Sequence, residues 1–271
     1  MTTGQITPAP HELNTGFEWH PVPRAGGMLS GEEVDQFDRE GYLLVEGAIT
    51  VEEIERVRDE LDAYEAKMTR WLDQQGGTLG ISDAKDITFS PHAVTRSEIV
   101  KEFSRHPVFA RLALDLVGPD VRLYWDQAVY KKPEPDREFP WHQDNGYTFV
   151  HPQHYLTCWI PLVPATHENG CPVVAPGVHR QGTLAHHWVD PIGWQCLTDP
   201  ERAVEVEADV GDIICFSSLM PHRTGPNTTD EIRKAYILQY CAEGSTAFDP
   251  RPQNDDSRQF PVVRGGVPVE S

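Results

Sequence analysis

After Gly118-Pro119 the chain breaks into short β-type runs: Val121 to Tyr130, Tyr155 to Leu162, Cys171 to Val174, Val204 to Ala208, Asp212 to Phe216 and Ala235 to Tyr240. Pro, Gly and Asn separate them, as turn chemistry requires between strands. Val204, Val206 and Ala208 alternate with Glu205 and Glu207, the period-two signature of a strand with one wet face. Helices come first and strands afterwards, so the fold expected is mainly β with flanking helices: an antiparallel sandwich or barrel, with the double-stranded β-helix (jelly roll) as its natural form.

The helices ahead of that point carry their own punctuation. Ser30-Gly-Glu-Glu33 reads as a capping box opening a short helix with Val34 and Phe37 inward, and a strand follows at Tyr42 to Val45. Thr50-Val-Glu-Glu53 is a second box. Behind it Ile54, Val57, Leu61, Tyr64, Met68 and Leu72 keep three-and-four spacing to Gly76-Gly77, an apolar stripe assigned to scaffold. Ser97 to Leu116 is helical and broken or bent at Pro107. Residues 1–28, with Pro8, Pro10, Pro21 and Pro23, form an extended arm, and residues 29–271 form a single domain. Gly182 to Arg202, which holds Trp188 and Trp194, reads as a long insertion of the kind that serves as a lid or binding loop.

A formal net charge of −19 argues against nucleic acid or an anionic membrane as partner, because both require a basic surface. The five cysteines are odd in number and contain no CxxC pair, which fits neither a disulfide framework nor a zinc-thiolate site. A reducing, cytoplasmic compartment is expected, since no apolar run is long enough for a membrane span and Met1 to Pro10 has no signal core. Oligomeric state is open.

The densest chemical signal is Phe139-Pro-Trp-His-Gln-Asp-Asn-Gly146. In extended backbone His142 and Asp144 point to one side and Gln143 to the other, so an imidazole and a carboxylate converge. His222, just after the run ending at Phe216, supplies a third ligand if its strand lies beside that of His142. Two His and one carboxylate leave half of an octahedral iron(II) open for a chelating cosubstrate and O2. Arg233, eleven residues on, offers a rigid fork of donors to a dicarboxylic acid, and Thr224 a hydroxyl to the same group. The plainer reading of Arg233 is a surface residue beside Glu231.

His142-Gln-Asp144, the Tyr155 to Leu162 strand with Trp159, Glu168-Asn-Gly170, Pro176-Gly-Val-His179 and His222-x-Thr224-x-x-Asn227-x-Thr229-x-x-x-Arg233 resemble the phytanoyl-CoA dioxygenase family over roughly Ser30 to Glu243. The resemblance implies a double-stranded β-helix with Fe(II) on His142, Asp144 and His222. It also implies 2-oxoglutarate anchored by Arg233 with contacts from Thr224, Trp159 and Gln143. Two departures are visible: Val178 where the family commonly has serine, and Thr224 where it commonly has serine. Asp144 is present where related halogenases carry a small residue, which favours oxygen insertion.

The reaction implied consumes 2-oxoglutarate and O2, releases succinate and CO2, and hydroxylates an aliphatic C–H of a small organic metabolite. Desaturation, cyclisation or epoxidation are variants of it. A cupin-like metal hydrolase or isomerase and a catalytically silent binding protein are the rival readings on the same scaffold. Tyr147, His151 and Trp194 are candidate substrate residues, with His154 near them. Lys131, Lys132, Arg180 and Arg223 could form a cationic mouth for an acyl-CoA ester. His186-His187 is not expected to bind a second metal, because adjacent extended residues point apart. Ser217-Ser218 lacks the GxSxG context of a serine hydrolase.

Overall fold

Both capping boxes form, and they start the two helices that the sequence pattern places there. The computed structural model describes residues 5–21, 26–190, 193–248 and 258–269, so Pro23 and the two ends of the chain lie outside the described residues. Ser30 accepts from the Glu33 amide and Glu33 accepts from the Ser30 amide at the start of α1 (Gly31–Glu40); Thr50 and Glu53 repeat the exchange for α2 (Val51–Gln74). Each cap satisfies two otherwise unpaired amides and is worth about 1 kcal/mol. Gly41 ends α1 at φ 82°, and a Cβ there would lie 2.4 Å from the His179 ring, so no other residue fits.

α2 buries Ile54, Val57, Leu61 and Leu72 as its stripe requires, with Glu65 buried on the same side. Glu65 tolerates this because it accepts from the hydroxyls of Thr69 and Thr88. Pro107 is the first residue of α4 (Pro107–Leu116), following α3 (Glu98–Phe103), so the stretch is two helices and not one bent helix.

Strands β1 (Tyr42–Val45), β2 (Ile87–Pro91), β3 (Val121–Lys131), β4 (Phe139–His142), β5 (Leu156–Pro161), β6 (Pro172–Val174), β7 (Val204–Glu205), β8 (Ile213–Ser217), β9 (His222–Thr224), β10 (Arg233–Ala242), β11 (Pro261–Arg264) and β12 (Val267–Pro268) build two sheets. Among the described residues, the larger sheet runs β1-β8-β5-β10-β3-β11-β12, with β2 also along β3. The smaller runs β7-β6-β9-β4. Every pairing is antiparallel.

The period-two alternation sorts side chains between two cores. Cys158, Ile160, Tyr236 and Leu238 face the helices, together with Leu61, Phe103 and Phe109. Trp159, Ile237, Ile214 and Phe216 face the other way, against Phe139, Val174 and Met220 of the smaller-sheet layer. The larger sheet is thus covered on both faces, which explains why β5 is buried at every position. This is the expected mainly β jelly roll with helices on its outer face.

Three features differ from expectation. β2, β11 and β12 escape detection because their runs are short and Pro-bounded. Val204 to Ala208 alternates in burial as read, but the ladder is confined to Val204–Glu205 before a single bridge from Ala208 to Ala165. The Gly182 to Arg202 insertion holds a small hairpin of its own, His187–Val189 against Gly193–Gln195, with Trp188 and Trp194 edge to face. The described residues 5–21 lie against the protein and turn at Glu12-Leu13: the His11 amide donates to the Thr183 carbonyl, the Ala185 amide to the Ala9 carbonyl and the Asn14 amide to the His11 carbonyl. At the end of the arm the Asp115 carboxylate accepts from the amides of Gly27, Met28 and Leu29.

Candidate metal centre and cosubstrate site

β9 lies between β6 and β4, which sets His222 in register with His142 across 80 residues of sequence. Gln143 is extended (φ −107°, ψ 142°), so His142 and Asp144 share a side as expected, although Asp144 itself opens a single 3-10 turn, Asp144–Gly146. The donor atoms of His142, Asp144 and His222 all lie within 4.8 Å of one another.

Both imidazoles are held by their far nitrogens. Nδ1 of His142 lies 2.8 Å from the Pro140 carbonyl and Nδ1 of His222 lies 3.0 Å from that of Met220. A carbonyl only accepts, so each Nδ1 carries the proton and each Nε2 turns its lone pair to the common centre. Burial, aided by the neighbouring His222, holds His142 well below its ordinary basicity and keeps it neutral. Asp144 Oδ2 accepts from the Thr157 hydroxyl at 2.6 Å, and Oδ1 lies 3.9 Å from His222 Nε2. Two imidazoles held through Nδ1 and one oriented carboxylate are the donor set of a two-His-one-carboxylate iron(II) face.

The guanidinium of Arg233 is 1% exposed, and its three nitrogens have no hydrogen-bond partner in the protein. The hydroxyl of Thr224 is likewise buried and unpartnered. Trp159 lies under the guanidinium, its ring centre 5.4 Å away. Burial lowers the group to about 10, so it stays charged at neutral pH. An unpaired buried cation costs several kcal/mol and persists where a ligand supplies the anion. The plainer reading of Arg233 as a surface residue is therefore wrong, and the site fits the far carboxylate of a dicarboxylic acid.

Gln143 is a correction. Its amide is fully buried and spent on scaffold, donating to the carbonyls of Gly182 and Leu219 and accepting from the Leu184 amide, so it does not reach a cosubstrate. His151 is a second correction: it is exposed on a short strand paired with Thr246 and lines no part of the cavity beside the metal ligands. Trp194 is 37% exposed against Trp188 and is also outside that cavity. Tyr147 does line it, its ring edge-on to His142 at 5.4 Å. His154 is partly buried between Ser217 and the Leu116 carbonyl, away from it.

Three of the four residues of the expected cationic mouth are committed within the protein, and Arg180 is exposed. Lys131 is buried and donates to the Arg137 carbonyl, Lys132 donates to the Ala84 carbonyl, and Arg223 pairs with Glu138 at 2.8 Å. His186 accepts from the Gln143 amide and contacts the Leu184 carbonyl. The remaining motifs shape the loops around the site. Gly170 is at φ 81° with space for a Cβ closed by the Gly225 carbonyl at 2.4 Å, and Asn227 donates to the carbonyls of Lys131 and Glu231 just ahead of Arg233.

A cavity of about 690 Å³ opens on His142 and Asp144. Its walls include Phe89, Trp125, Gln127, Gln239 and Arg258, none of them singled out in the sequence, because their runs carry no motif and they converge from four distant segments.

The sequence profile of the family described as Phytanoyl-CoA dioxygenase (PhyH) matches residues 37–235. The chain belongs to the phytanoyl-CoA dioxygenase family. Its relatives include a probable phytanoyl-CoA dioxygenase of Caenorhabditis elegans, 26% identical over 89% of this chain and 81% of the relative. Methylphosphonate hydroxylase of Gimesia maris is 26% identical over 87% of this chain and 89% of the relative. Among solved structures, the epimerase SnoN in complex with Fe3+, alpha ketoglutarate and nogalamycin RO shares the fold, with a TM-score of 0.63 and 22% identity over 89% of this chain and 95% of that one. Members of the family are 2-oxoglutarate-dependent dioxygenases, and this chain is one: its cofactors are iron, 2-oxoglutarate and O2. No helix among the described residues is long and apolar enough to cross a membrane.

Proposed function

We propose that this dioxygenase hydroxylates an aliphatic C–H bond of a small organic metabolite, with His142, Asp144 and His222 holding Fe(II) and Arg233, Thr224 and Trp159 holding the far carboxylate of 2-oxoglutarate. The observation that carries the reading is the buried, unpartnered Arg233 guanidinium at the start of β10 and the buried, unpartnered Thr224 hydroxyl two residues after His222 on β9, beside the three-donor cluster. When bound, iron with 2-oxoglutarate and O2 supplies the oxidising power, and the cosubstrate leaves as succinate and CO2.

The chain's own part is position and exclusion of water. Thr157 orients the Asp144 carboxylate, the Pro140 and Met220 carbonyls set both imidazole tautomers, and Phe89, Phe139, Tyr147 and Tyr155 give the cavity an aromatic wall. The volume lies within the ordinary range of small-molecule sites. The likeness to the methylphosphonate hydroxylase of Gimesia maris supports the same reading. All five cysteines are free and buried, which accords with a reducing, cytoplasmic setting.

Anaerobic titration of the metal-free protein with iron(II) and 2-oxoglutarate tests the assignment through the visible charge-transfer band of the chelate. The band is expected in the parent and weakened in Asp144→Ala and in Arg233→Ala. A folded, iron-loaded protein without the band returns the cupin-like and silent-binder readings.

A further inference from the structure

We infer that Lys131 is a second cation of the cosubstrate site and donates, beside Arg233, to the far carboxylate of 2-oxoglutarate. This deepens the proposed function and rests on its placement of 2-oxoglutarate at Arg233. Lys131 and Arg233 stand directly opposite one another in the β3-β10 ladder. Directly opposed residues on neighbouring strands turn their side chains to the same face, with Cβ atoms about 5 Å apart. That face is the inner one: Val129 and Ala235, the opposed pair one step further along it, belong to the core that holds Phe139 and Trp159.

Both cations are 1% exposed, and neither forms an ion pair among the described residues. The Lys131 ammonium donates to the Arg137 carbonyl at 2.9 Å, which takes one of its three protons and none of its charge. The acids nearby are engaged: Arg137 pairs with Asp83 and Asp86, and Arg223 pairs with Glu138. Burial, with the Arg233 charge beside it, pushes Lys131 down to about 8, so most of it is still protonated at neutral pH. Two like charges buried side by side repel strongly where water is excluded, and an anion between them turns that repulsion into attraction.

The local structure fixes this corner. Asn227 ties the ends of the two strands, its side-chain amide donating to the Lys131 carbonyl at 3.0 Å and the Glu231 carbonyl at 2.8 Å. The Arg137 carbonyl draws the ammonium toward the start of β4, where Phe139 is opposite Thr224, whose buried hydroxyl has no partner. Lys131 also borders a cavity of about 230 Å³ that shares Ile81 and Phe139 with the cavity at the metal ligands. Arg233, Thr224 and Lys131 thus come to one place from β10, β9 and β3. A guanidinium fork holds both oxygens of a carboxylate in its plane, and an ammonium adds a point charge with protons to spare. A 2-oxo acid that lacks the far carboxylate gains nothing from either.

Anaerobic titration of the iron(II)-loaded enzyme tests this through the charge-transfer band, with 2-oxoglutarate and with 2-oxopentanoate, which keeps the chelating head and lacks the far carboxylate. Lys131→Met should bind 2-oxoglutarate about tenfold more weakly than the parent, the loss of one charge-assisted contact, and 2-oxopentanoate within a factor of about two. Without cosubstrate the same variant should melt at or above the temperature of the parent, because the repulsion from Arg233 is gone. Lys131→Gln, which keeps a polar head and loses the charge, should show the same loss of preference for the diacid. Unchanged affinity for 2-oxoglutarate overturns the inference. So does an equal loss for both acids, the mark of a structural role, or failure of both variants to fold. The band of the parent with 2-oxoglutarate is recorded first. Its absence defeats the oxygenase reading itself, whereas its presence with no change in the Lys131 variants defeats only the Lys131 assignment.

Discussion

The Thr157 hydroxyl donates to Asp144 Oδ2 at 2.6 Å, and this bond decides which way the carboxylate faces. Gln239, directly opposite Thr157 in the β5-β10 register, lies with its amide nitrogen 3.4 Å from the same hydroxyl. A hydroxyl has one proton to give, so a donor from Gln239 commits that proton to Asp144. Thr157→Val keeps the shape and loses the bond. Iron(II) affinity should fall about tenfold or more, while Thr157→Ser stays near the parent. Competition with a colorimetric chelator measures both, and unchanged affinity in the valine variant would show the bond to be incidental.

Arg233 is a buried cation without a partner in the protein, and the proposed cosubstrate role predicts that 2-oxoglutarate relieves that penalty. Arg233→Met replaces the unpaired buried cation with an apolar side chain of similar length, so without cosubstrate the variant should melt at or above the temperature of the parent. Added 2-oxoglutarate, with Mn(II) as a redox-silent metal, should raise the parent's melting temperature and leave the variant's nearly unmoved. Thermal denaturation with and without cosubstrate separates the two effects, and an equal rise in both proteins would remove Arg233 from the cosubstrate site.

Gln143 lies between two metal-ligand candidates yet is predicted to matter for stability. Gln143→Ala strands two carbonyls and one amide that its side chain now satisfies. The expected loss is about 3 kcal/mol in urea unfolding, with 2-oxoglutarate affinity of the folded protein within a factor of about two of the parent. A tenfold loss of affinity at full stability would restore the cosubstrate contact that the sequence suggests.

Acid should weaken the fold through His154. Burial drives its basicity down to about 4, so the ring is neutral in the folded protein and takes up a proton on unfolding once the pH drops below about 6.5. Its contribution is complete above pH 6.5, falls as the pH drops toward 4, and is level below that. Between pH 7 and pH 5 the loss is about 2 kcal/mol. His154→Gln should lose less stability over the same interval by about that amount, read from denaturant midpoints at the two pH values. Parallel profiles in the two proteins would assign the acid sensitivity to other groups.

Much of the scaffold is readable in the chain because it depends on neighbours in sequence. Capping boxes act over three residues, helical stripes over one or two turns, and strand alternation over two, so Ser30, Thr50, the α2 stripe and β5 announce themselves. His142 and Asp144 are visible for the same reason. β2, β11 and β12 are hidden because a strand of a few residues is stabilised by the partner it pairs with more than by its own pattern.

The sequence by itself determined the class of fold, the start of α1, both ends of α2 and the residue types able to hold a metal and an anion. Tertiary structure alone decided that β9 sits beside β4, so that His222 faces His142. It also decided that Gln143 serves the scaffold, that Arg233 is buried without a partner, and that Thr157 reaches Asp144. Register between distant strands and the burial of a charge are properties of the assembled sheets, set by how two covered faces pack, and no local pattern of residues encodes them.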